Sequence, residues 1–233
     1  MKLVTWNCNG ALRNKYQSLM QMDADIMIIQ ECEDPEQCSD KLYKSWANNY
    51  IWIGDSKHKG IGVFCKANVM LSQNDWHSDG AKHFISARIN GNFDLVAVWT
   101  RRSNSGKYRY IGQFWKYLQT NKGRLTDCII LGDFNSNVIW DRKKSTCNHS
   151  DVVRELDEIG VVSLYHETYN AGQGLELHPT FYLQRNLEKP YHIDYIFCSK
   201  KRCSNVLKFE IGSAENWLSI SDHLPVIVDI DIN

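Results

Sequence analysis

The chain alternates between short apolar blocks and polar punctuation. Segments 3–6, 26–30, 50–53, 61–66, 84–89, 93–99, 128–131, 180–183, 192–198, 206–211 and 225–230 have the length and composition of strands. Several are apolar almost without interruption, as expected of strands covered on both faces. Asn90-Gly91 between two such runs marks a hairpin turn. Helical patterns cover 12–22, 107–118 and 151–159. Ser150 is the expected N-cap of the third, and Gly160 lies just past its end. A doubly wound parallel sheet needs a helix between nearly all strands, and segment 50–99 has none. The pattern predicts a mixed α/β sandwich, two packed sheets with helices outside. No repeat, low-complexity stretch or Pro/Gly/Ser-rich linker divides the sequence, so a single domain over 1–233 is expected.

Polar residues recur where these apolar runs stop. Trp6-Asn7-Cys8-Asn9-Gly10 closes the first strand, and Gln30-Glu31 closes the run Ile26-Met27-Ile28-Ile29. Leu131-Gly132-Asp133-Phe134-Asn135 follows another apolar run. His192-Ile193-Asp194-Tyr195 opens a strand, and Ser221-Asp222-His223 precedes the last one. Any one of these is explained as a turn or a cap. Five together place acids, amides and histidines at the strand ends where α/β proteins put their chemistry.

The residue types suit phosphodiester cleavage. That reaction needs charge neutralisation at phosphate, an activated water and stabilisation of the leaving oxygen. Hard divalent cations take oxygen ligands, often one or two carboxylates. Glu31 and Asp222 are the acid candidates, with the Asn7 and Asn9 amide oxygens beside them. His223 oriented by Asp194 could steady a phosphate oxygen or move a proton. Asp133 could orient or deprotonate the attacking water, and Asn135 could donate to the phosphate.

Composition narrows the setting. Hydrophobic residues make up 43%, enough for a substantial core. Lysine plus arginine and aspartate plus glutamate both number 27, a formal net charge of +0, which argues against binding nucleic acid by bulk charge. A local basic groove is still compatible with that balance. The eight cysteines contain no C-x-x-C pair, so a structural zinc knuckle is not expected. No apolar stretch has transmembrane length, and the N-terminus runs directly into a strand pattern without the features of a signal peptide. A cytoplasmic protein with reduced cysteines, no membrane association and no obligate protein partner is the expectation.

These motifs, in this order, resemble the endonuclease/exonuclease/phosphatase superfamily, which includes exonuclease III, deoxyribonuclease I and inositol polyphosphate 5-phosphatases. The resemblance spans the chain from Trp6-Asn7 to Ser221-Asp222-His223. Segments 178–183 and 189–194 look most like uncharacterised bacterial members. It implies a four-layer α/β sandwich and a Mg²⁺- or Mn²⁺-dependent phosphoesterase. Metal binding is carried onto Glu31, with Asn7, Asn9 and Asp222 nearby. The water-activating or phosphate-contacting role falls on Asp133 and Asn135, and the His–Asp pair on His223 and Asp194. The chain departs from the family at two places. The exonuclease III branch has an aspartate where this chain has Asn9. Relatives also carry a tyrosine or histidine after the middle strand, where this chain reads Ala97-Val98-Trp99-Thr100-Arg101-Arg102.

Substrate contacts are expected from basic residues interleaved with aromatics: Trp99, Arg101, Arg102, Lys107 and Arg109 in one segment, Trp140 and Arg142 in another. Trp46, Trp52 and Trp76 lack such neighbours and are expected in the core. The leading functional reading is a metal-dependent nuclease acting on DNA. A phosphatase or phosphodiesterase for a small phosphorylated molecule or phospholipid head group is the alternative. A non-catalytic binding module on the same fold ranks third.

Overall fold

A computed structural model describes residues 1–103 and 108–232. The strands are β1 (Lys2–Asn7), β2 (Ile26–Cys32), β3 (Tyr50–Ser56), β4 (Lys59–Cys65), β5 (Leu71–Gln73), β6 (Phe84–Ile89) and β7 (Phe93–Trp99). They continue as β8 (Ile129–Asp133), β9 (Val161–Ser163), β10 (Phe181–Tyr182), β11 (Pro190–Tyr191), β12 (Asp194–Ser199), β13 (Val206–Ile211) and β14 (Val226–Ile230). The α-helices are α1 (Tyr16–Met20), α2 (Lys41–Trp46), α3 (Ile111–Asn121), α4 (His149–Glu158), α5 (Leu164–Tyr169), α6 (Lys200–Cys203) and α7 (Ala214–Trp217).

Two six-stranded mixed sheets form, in the orders β13-β14-β1-β2-β4-β3 and β5-β6-β7-β8-β12-β9. Each has a single parallel pair at its centre, β1/β2 in the first and β7/β8 in the second, with antiparallel neighbours outward. The apolar runs are continuous because alternate residues serve different layers. Leu3, Ile28 and Val63 of the first sheet meet Ala97, Leu131 and Ile196 of the second in the central core. Their chain neighbours Val4 and Ile29 pack outward against Tyr16, Leu19 and Tyr43. On the far side Val98, Ile130 and Phe197 pack outward against Phe114, Leu118 and Leu156. Helix, sheet, sheet and helix are the four layers of the expected α/β sandwich. Each fully buried Leu, Ile or Phe contributes about 1.5–3 kcal/mol. A polar substitution at Leu131 or Ile28 would therefore disrupt the contact between the sheets.

Local boundaries differ from the sequence expectation in instructive ways. The helix expected over 12–22 breaks at Lys15 (φ −131°), leaving a 3₁₀ turn at Leu12–Asn14 and the short α1. There the Lys15 ammonium donates to the Cys8 carbonyl at 2.6 Å, a tertiary contact that overrides helix continuation. Helix α4 starts at His149, with Asn148 rather than Ser150 as its N-cap. Asp141 accepts from the His149 and Ser150 amides at 2.9 and 3.1 Å, so those two positions already belong to the first turn. Asp151 in turn accepts from the Asn148 amide at 2.9 Å. Gly160 lies past the end with φ +74°, as its sequence position suggested. Helix α3 starts at Ile111; Lys107, the expected helix start and a candidate basic contact, lies outside the described residues.

Candidate active site

Both parallel pairs end at the same place. The carboxyl ends of β1 and β2 supply Asn7 and Glu31, and the end of β8 supplies Asp133. β12 enters beside β8 with Asp194 opposite Asp133 in register. The segment before β14 brings His223, whose backbone carbonyl accepts from the Trp6 indole at 2.9 Å. The Ser221 hydroxyl donates to the Asn7 carbonyl at 2.7 Å and accepts from the His223 amide at 3.1 Å. The Ser-Asp-His motif is thereby bolted to the end of β1.

Gly132 is required by packing. It pairs with Val98 across β7/β8, and a Cβ there would fall 1.8 Å from the Val98 carbonyl oxygen. The glycine lets the two strands approach closely just before Asp133, which fixes where the carboxylate emerges.

Asp133 is fully buried and heavily bonded. Its Oδ1 accepts from the Asn135 amide at 2.8 Å. Its Oδ2 accepts from the side-chain amides of Asn7 at 2.9 Å and Asn135 at 2.8 Å. The His223 Nε2 lies 4.0 Å away. Burial dominates and pushes the Asp133 carboxyl up to about 7, against the opposing pull of His223 and the two amides. His223 Nδ1 donates to Asp194 Oδ2 at 2.9 Å. Burial disfavours the imidazolium, but Asp194, Asp133 and neighbouring Asp222 outweigh it and raise His223 to about 10. The ring is therefore cationic at neutral pH, with Nε2 turned towards Asp133.

Asp194 has its own support. The Thr180 hydroxyl donates to its Oδ2 at 2.7 Å and accepts from the Ile193 and Asp194 amides at 3.0 and 3.1 Å. Thr180 escaped the sequence analysis, because nothing marks it beyond a place at the start of a strand. Asp133, Asp194 and His223 each offer a ligand atom within 4.8 Å of the others, a buried cluster that could hold a metal ion only if the ring gave up its Nε2 proton.

Glu31 occupies the open side of the site. It sits at a register shift between β2 and β4 with φ +63°, a conformation that rotates its side chain out of the strand alternation. Its Oε1 lies 3.4 Å from the Asn7 amide nitrogen, and its Oε2 pairs with the Lys59 ammonium at 2.7 Å. Lys59 is the second residue the sequence did not disclose.

The remaining candidates divide. Asn9 is exposed, with φ +51°, and its amide donates to the Asn7 side-chain oxygen at 3.0 Å, which orients that side chain. Asp222 is half-buried beside His223, and no hydrogen bond or ion pair joins its carboxylate to Glu31 or Asn7 among the described residues. Both protons of the Asn135 side-chain amide are committed, one to Asp133 and one to the Thr100 carbonyl at 3.0 Å. Its evident role here is to hold Asp133.

Trp99 is 1% exposed, edge-on to His83 and covered by the Arg101 guanidinium at 4.5 Å from the ring centroid. Arg101 pairs with Asp55 at 3.0 Å. Arg102, Arg109 and Arg142 are exposed. Trp140 is 47% exposed and packs on Tyr191 at 5.1 Å. Tyr191 pairs with Phe181 across β10/β11, and Phe181 lies 4.6 Å from the His223 ring. An aromatic ridge thus runs from the carboxylate–histidine cluster out to Trp140. Trp46, Trp52 and Trp76 are partly buried and pack against the hydrophobic clusters.

Two facing mixed sheets clad in helices, with a carboxylate–histidine cluster where their parallel pairs end, define a DNase I-like α/β sandwich. The sequence model of the Endonuclease/Exonuclease/phosphatase family matches residues 4–223, and the chain belongs to that family of phosphoric ester hydrolases. No curated protein matches the sequence. Among solved structures, a 3'-5' exonuclease (NExo) from Neisseria meningitidis is similar at TM-score 0.71 and 18% identity, covering 99% of this chain and 100% of that one. An AP endonuclease from Archaeoglobus fulgidus is similar at TM-score 0.69 and 19% identity, covering 99% of each chain. The catalytic domain of Xenopus laevis APE2 gives TM-score 0.71 at 18% identity, covering 99% and 91%. At such identities the likeness establishes the fold. No helix among the described residues is long and apolar enough to cross a membrane.

Proposed function

We propose that the protein is a divalent-metal-dependent phosphodiesterase that hydrolyses DNA. The observation that carries this reading is the environment of Asp133: a buried carboxylate fixed by two asparagines, facing an imidazolium 4.0 Å away. A base and a cation held this close, at the end of two parallel strand pairs, suit attack on a phosphorus centre.

The donor set fits a hard divalent ion. Glu31 offers carboxylate oxygens on the open side, and in this structure an ammonium stands in for a cation at one of them. Glu31 would hold Mg²⁺ or Mn²⁺, with Asn7 at its side and Asn9 orienting the Asn7 side chain. When bound, the ion supplies charge neutralisation at the phosphate. Asp133 takes the proton of the attacking water and is suited to it by a pKa near neutrality. Asn7 and Asn135 keep its oxygens aimed. The His223 imidazolium steadies the developing charge on phosphate oxygen, and Asp194 preserves its charge and tilt. Arg101, Arg102, Arg109 and Arg142 supply backbone contacts. Trp140, at the end of the aromatic ridge, supplies a stacking surface, and Trp99 acts through the Arg101 it carries.

Beside the ridge opens a cavity of about 290 Å³ lined by residues including Asn137, Glu176, Tyr182, Leu187 and Tyr191. Rings that start at the cationic histidine and lead to a concave wall favour a nucleotide chain over a bare phosphate. The formal net charge of +0 supports a compact phosphoester as the second reading.

The test is a cleavage panel with single-stranded, duplex and abasic DNA, RNA and inositol phosphates, each with and without chelator. Chelator-sensitive turnover of a DNA substrate is expected. Turnover indifferent to chelator would overturn the metal assignment, and preference for inositol phosphates would overturn the DNA assignment.

A further inference from the structure

We propose that Lys59 is a tethered cation that occupies Glu31 in the free protein and competes there with a divalent ion. This inference rests on Glu31 being the ion ligand named above.

The geometry is local and specific. The β2 irregularity that turns Glu31 out lies opposite Gly60, the residue after Lys59. A Cβ at Gly60 would meet the Ile53 carbonyl at 2.3 Å and the Trp52 ring at 2.4 Å, so the backbone of the β3–β4 hairpin is tightly confined there. The Lys59 stem starts from that fixed point, and its ammonium reaches Glu31 Oε2 at 2.7 Å. The pair is not a structural clamp. Lys59 is 47% exposed and Glu31 20%, and ion pairs this open contribute little to folding.

The ion pair has an aromatic neighbour. The same ammonium lies 5.9 Å from the Trp99 ring centroid, on the ring that also carries Arg101. An ammonium displaced from Glu31 keeps a favourable aromatic surface within reach. An ammonium on Oε2 and a divalent ion on the same carboxylate repel each other, so the two compete for Glu31. The fraction of Glu31 left free by Lys59 therefore scales the apparent affinity for the ion. An exposed pair is worth up to about 1 kcal/mol, which sets the expected effect at about two- to fivefold.

Titration calorimetry with MnCl₂ alone, without substrate, reads this directly. Lys59→Gln should bind Mn²⁺ about two- to fivefold more tightly than wild type, and Lys59→Arg should not. Arg101→Gln removes a nearby charge that is bonded to Asp55 instead of Glu31, so it should shift affinity by less than twofold. Equal affinity in Lys59→Gln and wild type would overturn the exchange. So would equal tightening in Arg101→Gln, which would mean that the general field and not the contact is responsible. Glu31→Gln separates this inference from the reading beneath it. If Glu31→Gln leaves Mn²⁺ binding intact, the metal assignment fails. If it removes binding while Lys59→Gln changes nothing, only the exchange fails. Thermal unfolding of each variant, expected within a few degrees of wild type, shows that the fold survives.

Discussion

Two buried histidines flank Asp194 and have opposite fates. His223 is 5% exposed and His192, two residues before Asp194, is 4% exposed. Burial penalises the charged ring in both cases. His192 yields to it and falls to about 4: its Nδ1 meets only the His178 carbonyl at 2.8 Å, and its Nε2 has no hydrogen-bond partner among the described residues. His149 behaves likewise, lowered to about 4 between a Ser136 hydroxyl and the Gln173 side-chain oxygen. His223 instead faces one carboxylate at 2.9 Å and a second at 4.0 Å, and it rises to about 10. Equal concealment thus gives a neutral packing element in one place and a fixed positive charge in the other. The carboxylates make the difference, and they mark the site more reliably than the histidines do.

Breaking the charged side should cost the most. Asp133→Asn preserves shape and removes the base. Turnover of a DNA oligonucleotide in Mg²⁺ should drop about 10²- to 10⁴-fold with little change in unfolding temperature. Wild-type turnover in that variant would sink the assignment of Asp133. His223→Gln should follow at about 10²- to 10³-fold, the loss typical of one donor to a developing charge.

Removing the partner that keeps His223 charged should cost less and leave a different signature. Asp194→Asn is expected to lose about 10- to 100-fold, as for other supporting carboxylates. The pH profile supplies the sharper evidence. The base works deprotonated, so wild-type activity should rise as pH passes about 7; the imidazolium works protonated, so activity should fall as pH passes about 10. With one carboxylate gone, the alkaline limb should move to lower pH. An alkaline limb that stays in place would show that Asp194 does not maintain the charge.

The sequence disclosed this site through its strand ends. Asn7, Glu31 and Asp133 stand at the carboxyl ends of central parallel strands, each after an apolar run covered on both faces, and a polar residue there is conspicuous. His223 and Asp194 were visible as a possible pair because acid and histidine each opened or preceded a strand. Lys59 and Thr180 were invisible for a common reason. Each gains its role only when distant segments meet, Lys59 across an irregular β2/β4 register and Thr180 through hydrogen bonds to the start of β12. The fold shows the same division. Long runs such as β7 and β8 were legible, whereas β5 and β9, three residues each, carry too little pattern to detect. Trp99 looked like a substrate contact because of its basic neighbours, yet its ring packs into the core and Arg101 covers it.

The smallest expected effect tests the neutral side of the comparison. His192→Asn can retain a donor towards the His178 carbonyl while removing the titrating ring. Activity at pH 8 should stay within about twofold, and stability should fall by about 1 kcal/mol, the net worth of one imperfectly replaced hydrogen bond. Its acid behaviour should change more clearly. Unfolded chains protonate histidine near 6.5, while folded His192 resists until about 4. Between those values the unfolded state binds the extra proton, so wild-type stability rises with pH across that window. Deleting the ring should flatten the rise by at most about 1.4 kcal/mol per pH unit, measured by urea unfolding at a series of pH values. If His192→Asn instead cost as much activity as Asp194→Asn, the neutral histidine would belong to the catalytic machinery, and the contrast between the two rings would collapse.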